Sequence, residues 1–144
     1  MNIQNVLAVK GAHVVTIRPE QLVREALVSL ITHNIGSLVV VNLHGQPIGL
    51  LSERDIIRAA ATDEAVFSQP IRACMVRDFI MGTPQDDLAS VAHTMTEKRM
   101  RHVPVVDGGK LVGIVSIGDV VKAQRDRYQG EVYTLQMQVS NDNV

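Results

Sequence analysis

Residues 100–122 read MRHVPVVDGGKLVGIVSIGDVVK, and residues 36–55 read GSLVVVNLHGQPIGLLSERD. Each runs as an apolar strand, a polar turn, a second strand containing a glycine, and then a serine with an aspartate three residues later. The two stretches are edited copies of one another. Pro19 and Pro84 lie 65 residues apart (84 − 19), and the same offset carries Val23 onto Leu88, Leu38 onto Val103 and Val41 onto Val106. Gly49 and Gly113 lie 64 apart (113 − 49), so one residue is lost in the turn at Asp107-Gly108-Gly109. Beyond it Ser52 still answers Ser116 and Asp55 answers Asp119.

Working outward, the flanks predict an α/β (α+β) fold of two β-α-β-β-α repeats packed as a pseudo-twofold pair. His13 to Ile17 has β-branched strand character and stops at Arg18-Pro19, because the residue before proline is pushed toward extended geometry. Leu22, Ala26, Leu27, Leu30 and Ile31 follow at helical spacing, and Asn34 and Gly36 terminate that helix. Ser37 to Val41 is an apolar run of the length of a buried strand. Ser52 opens a second helix to Ala61. In the second copy Phe79 to Met81 predicts a strand and Leu88, Val91, Ala92 and Met95 a helix face. The division expected is residues 1–62 for the first repeat with a helical lead-in around Ile3 to Leu7, 63–78 for a connecting hinge split at Pro70, 79–122 for the second repeat, and 123–144 for a terminal helix and tail. Two copies are too few for a solenoid, so each half is expected to cover the apolar face of the other, with binding sites in the cleft between.

Composition narrows the function. The chain has 144 residues, 46% hydrophobic and 20% charged, with no Trp, two Tyr, two Phe and a net charge of −1. That leaves neither aromatic rows for stacking bases nor a basic excess for a phosphate backbone, so no nucleic-acid partner is expected. No apolar run approaches the ~20 residues of a membrane helix, and no leader is evident. A lone Cys74 fits a reducing compartment, and the expectation is a cytoplasmic protein. The histidines show no ligand spacing, so no metal is expected.

The chemistry concentrates in Gly49 to Asp55 and Gly113 to Asp119. Ser-x-x-Asp at a strand-to-helix junction is, alone, more often a capping box that satisfies orphan backbone donors. Two features favour a ligand: aspartate is shorter than the usual Glu or Gln, and a glycine three residues before each serine would let a ligand approach the strand. A helix N-terminus with a serine hydroxyl suits a phosphate, and a carboxylate suits a ribose diol.

This pair of motifs resembles tandem cystathionine β-synthase (CBS) domains, the Bateman module, over Val6 to Lys122; Arg101 to Val105 and Ser116 to Asp119 are similar to the second copy of small stand-alone bacterial members. The resemblance implies a non-enzymatic sensor of adenine nucleotides, AMP foremost, with ADP, ATP, NAD or S-adenosylmethionine as variants, and a homodimer. It implies a second site built from Asp119, Ser116 and Gly118, with Arg101 and His102 on the phosphate, Ile114 against the base, and backbone from Gly11, Ala12, Ile35 and Gly36 at the adenine edge. The first site would use Asp55, Ser52 and Arg54, closed by Val76, Arg77, Met100 and Arg101. Because Gly36-Ser37 stands where the second copy has Arg101-His102, the Asp119 site is expected to hold a monophosphate better, and Arg99 is read as mostly structural.

Two other readings compete. A nucleotide-processing enzyme would need Asp55 and Asp119 as acid and base, or Cys74 as nucleophile, but no base stands beside a nucleophile. A ligand-independent homodimeric scaffold draws on the apolar stripe Tyr128, Val132, Leu135 and Met137 of the terminal helix, whose end at Asn141 to Val144 is expected to fray.

Overall fold

The computed structural model describes residues 1–142, with side-chain environments through Val139. In chain order the elements are α1 (Ile3–Lys10), β1 (Thr16–Ile17), α2 (Val23–His33), β2 (Ser37–Val41), β3 (Pro47–Ser52) and α3 (Glu53–Thr62), then two 3-10 turns (Glu64–Ser68 and Ile71–Ala73), α4 (Leu88–Glu97), β4 (His102–Asp107), β5 (Lys110–Ser116) and α5 (Ile117–Asp142). β1 pairs parallel with β2, which pairs antiparallel with β3. β4 and β5 form a separate antiparallel pair. The repeat extends to irregularities: the register slips at Val40/Val41 and again at Val105/Val106, 65 residues later.

The leading strand is shorter than expected in the first half, and in the second half Phe79 to Met81 forms none. A single parallel bridge stands there, with Gly82 donating to the Pro104 carbonyl (2.9 Å) and accepting from Val106 (2.9 Å). At the repeat offset Gly82 stands where the first half has Ile17. The missing side chain is supplied from elsewhere: a Cβ on Gly82 would lie 2.8 Å from Ile3 Cδ1 of α1.

That contact belongs to an exchange of segments between the halves. The first core gathers Ile17, Val23, Leu38 and Leu51 with Val66, Ile71 and Met75 of the connecting stretch. The second gathers Leu88, Met95, Val103 and Val115 with Ile3, Val6 and Leu7 of α1. The lead-in, grouped with the first repeat by sequence position, therefore packs in the second core. The connecting stretch is no loose hinge, since Val66 and Ile71 are buried in the first core. A third cluster, Val39, Val41 and Leu50 with Val14, Phe79 and Ile114, joins the halves. Apolar burial of this kind stabilises by roughly 1.5–3 kcal/mol per large side chain.

Both motif glycines lie under these exchanged segments. A Cβ on Gly49 would meet Met75 Sδ at 2.8 Å, and one on Gly113 would meet Leu7 Cδ2 at 2.7 Å. The expectation that these glycines admit a ligand is thus corrected: each admits an apolar side chain from the other half's leader.

α5 continues through Asp142, two residues into the stretch expected to fray, while Asn143 and Val144 lie outside the described residues. Tyr128, Leu135 and Met137 are exposed, and Val132 is half-buried.

Overpacking beneath α1 gives a test. Gly113→Val is expected to cost about 1–3 kcal/mol, and Leu7→Ala in that background should recover part of it. Strictly additive losses in denaturant melts would show that the two positions do not share the space.

Candidate functional site

Each motif closes a full capping box with aspartate. Ser52 Oγ accepts from the Asp55 backbone N–H (3.2 Å), and Asp55 Oδ2 accepts from the Ser52 backbone N–H (2.9 Å) and hydroxyl (2.8 Å). At the second junction Ser116 Oγ accepts from the Asp119 N–H (3.1 Å) and Asp119 Oδ2 accepts from the Ser116 N–H (2.8 Å). Capping therefore consumes one carboxylate oxygen. Among the described residues Oδ1 of Asp55 and of Asp119 has no hydrogen-bond partner, so capping and ligand binding do not exclude one another.

A cleft of about 820 Å³ opens at the first motif, a volume in the range of small-molecule sites. The first half contributes Gly36, Ser52, Arg54, Asp55 and Arg58; the second contributes Lys98, Arg99, Met100, Arg101 and His102; Val76 and Asp78 complete it. Val76 supplies its side chain only, because its backbone is already bonded both ways to Leu50 (2.8 and 2.9 Å). Arg54, Arg58, Lys98, Arg99 and Arg101 face Glu53, Asp55 and Asp78, and among the described residues none of these five cations is in an ion pair. Cationic surplus in a concave site favours an anionic ligand.

Arg99 is held at φ 54°, left-handed, as Asn34 is at φ 52° at the end of α2. Both follow a helix whose chain folds back, Met100 N–H onto the Met95 carbonyl (2.9 Å) and Ile35 N–H onto the Leu30 carbonyl (3.0 Å). Asparagine tolerates that geometry, whereas arginine bears about 1–2 kcal/mol of strain there. The strained position lines the cleft.

The second motif is arranged differently. Lys10, the last residue of α1, donates to Asp119 Oδ2 (2.5 Å) and to the Ile114 carbonyl (2.7 Å). Burial alone would raise the Asp119 carboxyl, but the Lys10 hydrogen bond and charge and the Ser116 N–H outweigh it, leaving Asp119 below the usual carboxylate range. Ser116, Gly118 and Asp119 do not line the cleft. Ile114 packs between the halves, Ile35 packs against the first core, and Gly11 and Ala12 are exposed. Arg101 and His102, expected on a ligand of Asp119, line the Asp55 cleft together with Gly36, so the cations gather at the opposite motif from the one expected to hold a monophosphate better. Arg77, expected to close the first site, points out and donates to the Arg72 carbonyl (3.3 Å). Lys10 and Arg58 carry no signal in the sequence, and Lys98, read with Arg99 and Arg101 as a solvated helix-end charge, lines the cleft. Lys10 directly precedes the Gly11-Ala12 pair that the resemblance places at the second site.

His102 lies opposite Ser116 in the β4–β5 ladder. Burial first, then the charges of Lys10 and Arg101, press its pKa below the usual value, with Asp119 and Asp55 opposing. Burial and the Asp55 charge push the Cys74 thiol up, the reverse of what a nucleophile requires. Among the described residues no three His, Cys, Asp or Glu side chains gather as a metal site, and no helix is long and apolar enough to cross a membrane.

A family model for the CBS domain matches residues 9–62 and 71–126. Protein MJ1225 of Methanocaldococcus jannaschii is 37% identical over 110 residues, 76% of this chain and 39% of that protein, so the chain spans about two fifths of that relative's length. The CBS-domain containing protein ATU1752 of Agrobacterium tumefaciens superimposes with a TM-score of 0.82 at 36% identity, covering 86% of this chain and 99% of that one. The CBS domain pair of protein MJ0100, solved in complex with 5′-methylthioadenosine and S-adenosyl-L-methionine, gives a TM-score of 0.78 at 26% identity, covering 88% and 98%.

The depressed His102 pKa sets a pH dependence. An unfolded imidazole protonates near pH ~6.5, whereas the folded one does so lower. Below about 6.5 the unfolded state therefore binds more protons, so the stability held above that value is lost as pH falls toward the folded pKa. Denaturant melts from pH 8 to pH 5 should show this decline, reduced in His102→Gln; equal slopes in both proteins would contradict it.

Proposed function

The chain belongs to the CBS domain family, with two copies in tandem, and from that premise we propose that it is a non-enzymatic regulator that binds an adenine nucleotide in the cleft at Asp55. The observation that carries this reading is the pairing of the Asp55 carboxylate, its Oδ1 free, with five cations drawn from both halves, none of them in an ion pair among the described residues. Asp55 Oδ1 accepts hydrogen bonds from a ribose diol. The N-terminus of α3 with Arg54 and Arg58, and Lys98, Arg99 and Arg101 across the cleft, hold the phosphate. Leu50, Val76 and Met100 offer an apolar wall to the base. The cationic surplus favours phosphate-bearing AMP, ADP, ATP or NAD over S-adenosylmethionine, whose sulfonium adds positive charge. AMP is the first candidate. A ligand spanning both halves shifts the protein toward the arrangement it binds best, which is all that regulation by binding requires. The raised Cys74 thiol and the capped aspartates supply no activated nucleophile or base, which weighs against a nucleotide-processing enzyme.

Calorimetric titration with AMP, ADP, ATP, NAD and S-adenosylmethionine tests the reading. AMP is expected to bind, and Asp55→Asn to weaken it by roughly tenfold or more with little loss of thermal stability. No binding by any of the five would refute it.

The exposed stripe of α5 favours a second, compatible reading as a homodimer. Tyr128 is 68% and Leu135 60% exposed, seven residues apart on one helix, the spacing at which apolar residues form a seam with another helix. Sedimentation should report a dimer that Leu135→Glu dissociates. A monomeric wild type would exclude it. A dimer that binds no nucleotide would leave the scaffold reading standing.

A further inference from the structure

The two motifs match in sequence, yet only one opens onto the cleft, and the difference lies in a residue outside both. Leu7 packs on Gly113 as Met75 packs on Gly49, and Val14 and Phe79 both enter the cluster between the halves. Six residues separate Leu7 from Val14 (8 to 13), but three separate Met75 from Phe79 (76 to 78). The turn of helix ending in Lys10 is therefore extra, with no counterpart in the connecting stretch. Its position is fixed rather than wandering. Ile3 and Leu7 anchor α1 in the second core, and Gly11 ends the helix at φ 98°, donating to the Leu7 carbonyl (2.8 Å). The ammonium so placed spends two of its three donors on Asp119 Oδ2 and the Ile114 carbonyl, with the two side chains 32% and 25% exposed.

We propose that Lys10 chooses between the two related sites: by neutralising Asp119 and holding the Ile114 carbonyl it disfavours the second motif, so that a nucleotide fills the Asp55 site first. This rests on the nucleotide reading above. Oδ1 of Asp119 is as free as that of Asp55, but Lys10 on Oδ2 neutralises the charge that makes a carboxylate a strong acceptor of a ribose diol's neutral hydroxyls. Among the described residues Asp55 has no such ion pair. The half-exposed pair is partly screened by solvent, so the bar is graded, not absolute.

Calorimetry with AMP as the probe decides the matter. Wild type is expected to bind one AMP per chain, weakened roughly tenfold or more in Asp55→Asn. Lys10→Met is expected to bind a second, with a roughly tenfold gain at that site that Asp119→Asn removes again. Without any ligand, a carboxyl titration by NMR should show Asp119 rising toward the ordinary aspartate value in Lys10→Met. One AMP in both proteins, two in wild type, or weaker second-site binding in Lys10→Met would overturn the selection while leaving the nucleotide reading intact. No AMP binding in either protein would sink both. An Asp119 titration unmoved by Lys10→Met would overturn the selection whatever the ligand result.

Discussion

Leu7 against Gly113 and Met75 against Gly49 are the contacts on which the rest of the molecule depends. Each side chain comes from the segment that precedes one half and is buried in the other, so neither half owns a complete core. The demand falls on the strand carrying the motif: the residue three before the serine must be glycine because a neighbour's side chain takes the volume of its Cβ. Ile3 over Gly82 repeats the arrangement at the sheet edge. The pseudo-twofold is thus a mutual enclosure, in which the leader of each half serves as a lid for its sibling, and packing at interior density makes that enclosure rigid.

This rigidity positions the functional groups. The serine and aspartate of each motif are locked by reciprocal bonds at a helix start, and because the carboxylate has two oxygens, holding the helix leaves one oxygen over. A structural device and a recognition device share one residue. Across the cleft the return of chain after α4 sets Arg99 in a left-handed conformation that asparagine occupies in the other copy. Strain of that kind persists where the surroundings enforce it, and here it falls where positive charge is concentrated.

Much of this could be read from the residues alone, for reasons that are local. Pro19 and Pro84, the valine runs and the Ser-x-x-Asp pairs are patterns within about ten residues, and they announced the repeat, most of the helices and the membership of Ser52, Arg54, Asp55, Val76, Met100 and Arg101 in one region. What stayed hidden is long-range. Apolar spacing shows which face of α1 is buried but not against what, so grouping residues 1–62 along the chain gives no sign that the lead-in packs in the second core. Lys10 meets Asp119 across 109 residues of chain, a contact no window contains. The motif glycines were assigned to a ligand because a missing side chain looks the same in sequence whether a nucleotide or a leucine fills the space. Arg101 is expected at both sites and His102 only at the second, yet His102, opposite Ser116 in the ladder, also lines the Asp55 cleft.

The exchange of segments also bears on how the chain is made. α1 is synthesised ahead of its partners: it carries Ile3, Val6 and Leu7 on a face whose neighbours, from Leu88 to Val120, all come later in the chain. At 5–20 residues per second that face waits for several seconds, bare, while the first half has already received its own lid by Met75. The nascent chain therefore holds a finished half and an orphaned helix at once. The pairing most open to error is another copy's second half, reached before its own, which makes this topology suited to trading α1 between neighbouring chains on a polysome.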